Sequence, residues 1–329
     1  MPASDGLMRA AQVTEQGRAP EVASVPRPKP GADEVLLKVT AAALNPVTLT
    51  TASGEYYGGH PPLPYIPGTE GTGRVVAGGW LPVGTRVRFE ASENRGGALA
   101  EFCVAAAVAC AELPAKLSDP LAAGLGVAGL AAWLALRDAA RLRPGETVLV
   151  LGATGAVGQI GIQAARIMQA GRIVAAGRDQ EALQKCLAMG ADAVVTLQEN
   201  QGLDQMAAAL TGAAGGPLQV VLDPIFGRPS MAASRACGPG ARLVNLGQSA
   251  GAEATYLSRD IRGKRLSIVG HANGAVSSEV RRSAFLELAA HAAEGRIRIE
   301  VEEFSLEQVE SAWRRQQESP HSKVVVRPV

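Results

Sequence analysis

The sequence predicts an α/β protein of two domains, one β-rich and one built on a doubly wound parallel sheet, and three observations carry that expectation. First, up to about residue 120, short apolar or β-branched runs are broken by Gly and Pro, as in EVLLKVTAAAL (34–44), GTGRVVAGG (71–79), GTRVRFEA (84–91) and LAEFCVAAAVA (99–109). Such spacing suggests an irregular antiparallel sheet. Second, from there strand-like runs (ETVLVLG, RIVAAG, AVVTL, QVVLDPI, ARLVNLG, LSIVGH) alternate with helical ones such as EALQKCLAMG and SMAASRACG. That rhythm implies parallel strands covered by helices on both faces. Third, a helix SEVRRSAFLELAAHAAEGR is followed by a strand in IRIEVEEF, a further helix and the closing strand SKVVVRPV. These late strands pair most simply with the N-terminal sheet, which makes the first domain discontinuous. The expected division is 1–121 and 271–329 for the β-rich domain and 122–270 for the parallel sheet.

A chain of 329 residues is long enough for two cores. Lys plus Arg total 32 against 31 for Asp plus Glu, so the net charge carries no footprint of a nucleic-acid binder. The opening MPASDGLMRAAQV lacks a signal pattern, and no run of about 18 apolar residues suggests a membrane span, so a cytoplasmic protein with no membrane or nucleic-acid partner is expected. Cys103, Cys110, Cys186 and Cys237 are too scattered for a CxxC pair or a disulfide framework and read as reduced thiols in apolar niches.

The stretch LGATGAVGQIGIQAA (151–165) runs from an apolar strand through a glycine-spaced turn into a helix. Gly155 and Gly158 occupy the second and third glycine positions of a G-x-G-x-x-G turn, with Ala153 at the first and Gly152 just before it. Gly155 lets backbone approach a pyrophosphate, Gly158 lets the helix lie close on the strand, and the N–H groups of Ala156, Val157 and Gly158 open a helix N-terminus. Thr154 adds a hydroxyl. With a strand before it and RIVAAG at the right distance after it, the turn points to a dinucleotide. A carboxylate about 20 residues on would accept the ribose 2′-OH of NAD. That place holds Gly177, followed by Arg178, which favours the 2′-phosphate of NADPH, with Lys185 as a second cation. Asp179 reads as an N-cap for the next helix.

The order and spacing of further blocks resemble the medium-chain dehydrogenase/reductase superfamily, and within it the zinc-independent quinone oxidoreductase branch that includes zeta-crystallin. The blocks are ALNPVTLTTASGEYYGGHPPLPYIPGTEGTG (43–73), GGALAEF (96–102), AGLGVAGLAAWLAL (123–136), the glycine turn, LAMGADAVV (187–195), VVLDPIFG (220–227), ARLVNLG (241–247) and SKVVVRPV. The resemblance implies a GroES-like catalytic domain built from both termini and a Rossmann domain inserted between them. It also implies a homodimer, joined through RLSIVGH (265–271).

In zinc-dependent relatives a Cys, the His of a Gly-His-Glu block and a second Cys hold a catalytic metal. The matching positions here are Asn45, Thr69 and Val127, none an ordinary zinc ligand, and the four cysteines of a structural zinc lobe are absent, so no metal is expected. The lone His60 and His271 read as solvated. The family's alternative is hydride delivery from NADPH to a quinone or to the β-carbon of an enone, with a hydrogen-bond donor at the acceptor oxygen. Asn45, in the vacated ligand position, and Tyr56, which matches an active-site tyrosine of the branch, are the candidate donors, and Tyr57 is a neighbouring competitor. Asp223, in LDPIF (222–226), and Leu246, Gly247 and Gln248, in NLGQS (245–249), end strands where a doubly wound sheet binds its ligands. Lys323 stands where the branch has Gly-Lys and is expected to reach the cofactor. Ala131 replaces a threonine thought to contact nicotinamide in relatives. The implied function is an NADPH-dependent quinone or enone reductase. A tailoring enoyl reductase on a carrier-bound or polycyclic intermediate, and an NADPH-binding protein with little turnover, are the rivals.

Overall fold

The computed structural model describes residues 6–92 and 95–328. Residues 1–5, where the stretch read for a leader begins, and Val329, the last residue of the closing stretch, lie outside them. Along the chain come β1 (Leu7–Gln12), β2 (Glu21–Pro26), β3 (Glu34–Ala43), α1 (Pro46–Ser53), β4 (Glu70–Gly78), β5 (Arg86–Glu90), β6 (Phe102–Ala106), β7 (Ala111–Glu112) and α2 (Asp119–Gly124). Then follow α3 (Val127–Leu134), β8 (Thr147–Leu151), α4 (Ala156–Ile167), β9 (Arg172–Gly177), α5 (Gln180–Ala188), β10 (Ala193–Thr196), α6 (Leu203–Ala214), β11 (Leu218–Asp223), α7 (Gly227–Ala236), β12 (Cys237–Asn245), α8 (Ser258–Lys264) and β13 (Ser267–Gly270). The chain closes with α9 (Ser278–Ala293), β14 (Val301–Ser305), α10 (Val309–Gln317) and β15 (Lys323–Arg327).

Two compact units result. Of the described residues, the first holds those up to Val127, Ser277–Glu294 and those from Ile299 on; the second holds Ala128–Val276 and Gly295–Arg298. Both divisions fall a few residues after those expected at 121/122 and 270/271. At the first of them the cause is α2, which packs on β3, β4 and β15 and so stays with the first unit.

In the first unit a seven-stranded sheet runs β14-β15-β3-β4-β5-β7, with β6 also on β3. All its pairings are antiparallel except β14 with β15. β3 is near-continuously apolar because both its faces are covered. Leu37 and Val39 join one core with Phe89 and Trp313, while Ala41 and Ala43 meet Ala123 of α2 and Val325. The late strands do return to the N-terminal sheet, since β15 pairs with β3 at Val325–Ala43 and Val326–Ala42. β1 and β2 form a separate hairpin sheet.

The second unit is a parallel six-stranded sheet in the order β10-β9-β8-β11-β12-β13. Chain order reverses beside β8, the switch point at which such sheets take ligands. α6 fills the gap the sequence pattern left between AVVTL and QVVLDPI. No helix among the described residues is long and apolar enough to cross a membrane.

Candidate active site

In the second unit the ends of four adjacent strands gather the expected cofactor residues. The two glycines of the turn after β8 have different causes. A Cβ on Gly158 would lie 2.4 Å from Gly152 O and 2.5 Å from Ala153 Cα, so the helix could not sit where it does. Gly155 has φ −78°, and its Cβ would meet nothing nearer than 3.6 Å. Packing does not require glycine there, so the position leaves room for a ligand to approach the backbone closely. No side chain caps α4, so the first-turn N–H groups of Ala156, Val157 and Gly158 are left to a ligand or water. Gly152, to which the sequence pattern assigns no role, has φ +58° and makes the left-handed turn itself. Thr154 is buried, and its carbonyl accepts from Gln159 Nε2 at 2.7 Å.

Gly177 ends β9 without a side chain, and Arg178 beside it is 79% exposed, with only a 3.9 Å contact to an equally exposed Glu199. Lys185 is exposed on α5. Asp179 caps that helix, its carboxylate accepting from Ala182 N at 2.9 Å. Asp223 is fully buried. Its Oδ1 accepts the N–H groups of Ile225 (3.1 Å) and Phe226 (2.7 Å), bracing a turn in which Phe226 takes φ +57°. Burial pushes the Asp223 carboxyl above the usual range. After β12, Leu246 donates its N–H to Asp223 O and Gly247 lies against Pro224 O, while Gln248 is exposed.

In the first unit the position matching the first zinc ligand is the centre of a buried polar chain. Asn45, 2% exposed, precedes α1. Its Nδ2 donates to Glu70 Oε1 at 3.0 Å, and its Oδ1 accepts from Lys323 Nζ. Glu70 Oε2 accepts from Val127 N at 2.6 Å and from Arg88 Nη2 at 3.0 Å. Arg88 is itself buried, pairs with Glu90 at 2.8 Å and lies over the Phe285 ring; Glu90 in turn pairs with Arg281 at 2.6 Å. Burial works against the Arg88 guanidinium, but Glu70 and Glu90 hold its pKa above the ordinary value. Lys323, expected to reach the cofactor, is instead turned inward. It is 3% exposed with its Nζ on Asn45, and burial pulls its pKa down to about 8 despite Glu70.

Sequence reasoning named Glu70 only as part of a block and missed Arg88, Gly124 and Gly126. A Cβ on Gly126 would lie 1.6 Å from Glu70 Oε2, and one on Gly124 would lie 3.0 Å from Lys323 Cγ. Gly124 and Gly126 are thus the room in which this chain of charges fits. The available signal was a Glu in the GTEGTG strand in register with Glu90, one strand over.

Tyr56 follows α1, half-buried, its ring 4.6 Å from that of Tyr57, which is 86% exposed. Gly58 makes room for it, since a Cβ there would lie 2.5 Å from the Tyr56 ring. A hydrogen bond with Tyr57 and burial raise the Tyr56 phenol above its ordinary range. His60 is exposed, whereas His271 is half-buried against Asn273 Oδ1 at 3.1 Å. All four cysteines are free and buried, with burial pushing Cys103, Cys110 and Cys237 up to about 12. Among the described residues no group of three or more His, Cys, Asp or Glu is placed to hold a metal ion.

Two family profiles match: an alcohol dehydrogenase GroES-like domain over residues 31–115 and a zinc-binding dehydrogenase domain over 156–290. The chain is 32% identical to quinone oxidoreductase of Rattus norvegicus over 272 residues, 80% of each protein. It is 39% identical over 142 residues to a zinc-type alcohol dehydrogenase-like protein of Schizosaccharomyces pombe, a match spanning 42% of this chain and 43% of that protein. A mycobacterial protein solved in complex with NADPH superposes with a TM-score of 0.86 at 25% identity, over 98% of this chain and all of that one. With its β-rich unit, its parallel-sheet unit and this likeness along most of its length, the chain belongs to the medium-chain dehydrogenase/reductase superfamily, in the quinone oxidoreductase branch.

Proposed function

We propose that the chain is an NADPH-dependent reductase that delivers hydride to a quinone or to the β-carbon of an α,β-unsaturated carbonyl, without zinc. The observation that carries this reading is the setting of Asn45. Where zinc-dependent relatives place a metal ligand, this chain has an amide committed to an ammonium on one side and a carboxylate on the other. Thr69 and Val127 offer neither thiolate nor imidazole, and the Val127 N–H is given to Glu70. These residues do not fit a catalytic zinc.

Bound NADPH supplies the hydride. The N–H groups opening α4 hold its pyrophosphate, and Arg178 with Lys185 holds the 2′-phosphate at the place where Gly177 offers no carboxylate. Conjugation spreads the incoming charge to the acceptor's oxygen, where one hydrogen-bond donor takes the place of a Lewis acid. Asn45 has one N–H left for that oxygen. Tyr56, kept protonated, gives the proton that completes hydroquinone or saturated carbonyl. We further propose a cytoplasmic homodimer joined along β13, which light scattering would test.

Stopped-flow mixing of the NADPH-loaded protein with 1,4-naphthoquinone or a simple enone tests the reaction. Acceptor-dependent loss of nicotinamide absorbance is expected. Tight NADPH binding with no such loss across a broad acceptor panel would leave a binding protein rather than a reductase.

A further inference from the structure

A side-chain amide has two ends of nearly the same shape, and only its partners decide which end faces where. At Asn45 both partners are unambiguous. A lysine ammonium can only donate, and a carboxylate bonded by Arg88 and Val127 N–H can only accept. The oxygen is therefore turned to Lys323 and the NH2 group to Glu70, one N–H on Oε1 and the other left over. The backbone enforces the pairing: Leu44 donates its N–H to Val324 O, which sets Asn45 beside Lys323. Gly124 leaves space for the lysine stem and Gly126 for the Glu70 carboxylate.

We propose that Lys323 is a positioning residue for the reaction proposed above, acting through Asn45: it holds Oδ1 and thereby directs the amide's free N–H to the acceptor oxygen. The inference rests on that reading of the reaction and adds a residue to it. Without the ammonium, Oδ1 is a buried acceptor lacking its partner, and the amide loses the constraint that distinguishes its two ends.

The test is a cycle of Lys323→Met, Asn45→Ala and the double variant, read as kcat and KM for 1,4-naphthoquinone and as Kd for NADPH. Lys323→Met is expected to lower kcat between about tenfold and 100-fold with the NADPH Kd unchanged within about twofold. Lys323→Gln, which retains a donor for Oδ1, should recover part of the loss. In the Asn45→Ala background Lys323→Met should cost nothing further, and because the double variant removes Oδ1 together with its donor, that oxygen is not orphaned in it should the single one fail to fold. A further loss of tenfold in the double variant, or a weakened NADPH Kd with kcat intact, overturns the proposal. Absence of turnover by the wild-type enzyme overturns the reaction itself, and this role with it.

Discussion

One exposed guanidinium, Arg178, is expected to separate NADPH from NADH. Nothing in the fold depends on it, since its contact with Glu199 is long and solvated. Arg178→Ala should therefore weaken NADPH about 10- to 100-fold by calorimetry and leave NADH nearly unchanged; equal weakening would remove the 2′-phosphate role. Lys323 behaves oppositely, through burial. Its pKa falls from 10.5 unfolded to about 8 folded, so between those values the unfolded chain keeps a proton the folded chain has lost. Stability should rise with pH across that window, by at most roughly 3 kcal/mol, and not below it. Urea titrations at several pH values should show this rise in the wild type and its loss in Lys323→Met; the same slope in both would refute it. The cap of Asp179 was legible because its partner, Ala182, lies three residues on. Lys323 was not, because its partner is 278 residues away and a lysine opening a strand carries no local mark of burial.

At the scale of elements, α4 offers the sharpest contrast. Gly158→Ala drives a Cβ into the backbone of the turn and should destabilise by about 1–3 kcal/mol in thermal melts. Gly155→Ala has room, so it should melt within about 1 kcal/mol of wild type while losing NADPH affinity tenfold or more. If Gly155→Ala bound NADPH normally, the turn would be packing alone. β5 shows what periodicity can and cannot give. Alternation in Arg86–Glu90 separates Val87 and Phe89, which join the core, from Arg86, Arg88 and Glu90. It reads as a polar outer face, yet Arg88 is buried there under Phe285 of α9. A strand's pattern reveals its two faces, but the element covering the second one comes from nearly 200 residues further on.

For the whole molecule, the two architectures were legible because each has its own rhythm, and even the return of the closing strands followed from the need to pair them. The content of the buried polar cluster around Asn45 was not, because it draws on β4, β5, β15, the chain before α1 and the chain after α2 together. That cluster makes a prediction for the purified protein: elemental analysis should find no stoichiometric zinc, and one zinc per chain would overturn the reading of Asn45, Thr69 and Val127.

The pairing of β15 with β3 has a consequence for how the chain is made. On the ribosome the parallel-sheet unit is almost wholly translated before β14 and β15 emerge, so a nascent chain can complete its dinucleotide turn while Ala42 and Ala43 of β3 still lack their partner strand. Lys323 opens the last of those strands. Asn45, synthesised 278 residues earlier, must wait for it, and the β-rich unit is finished in the same step that delivers its buried cation.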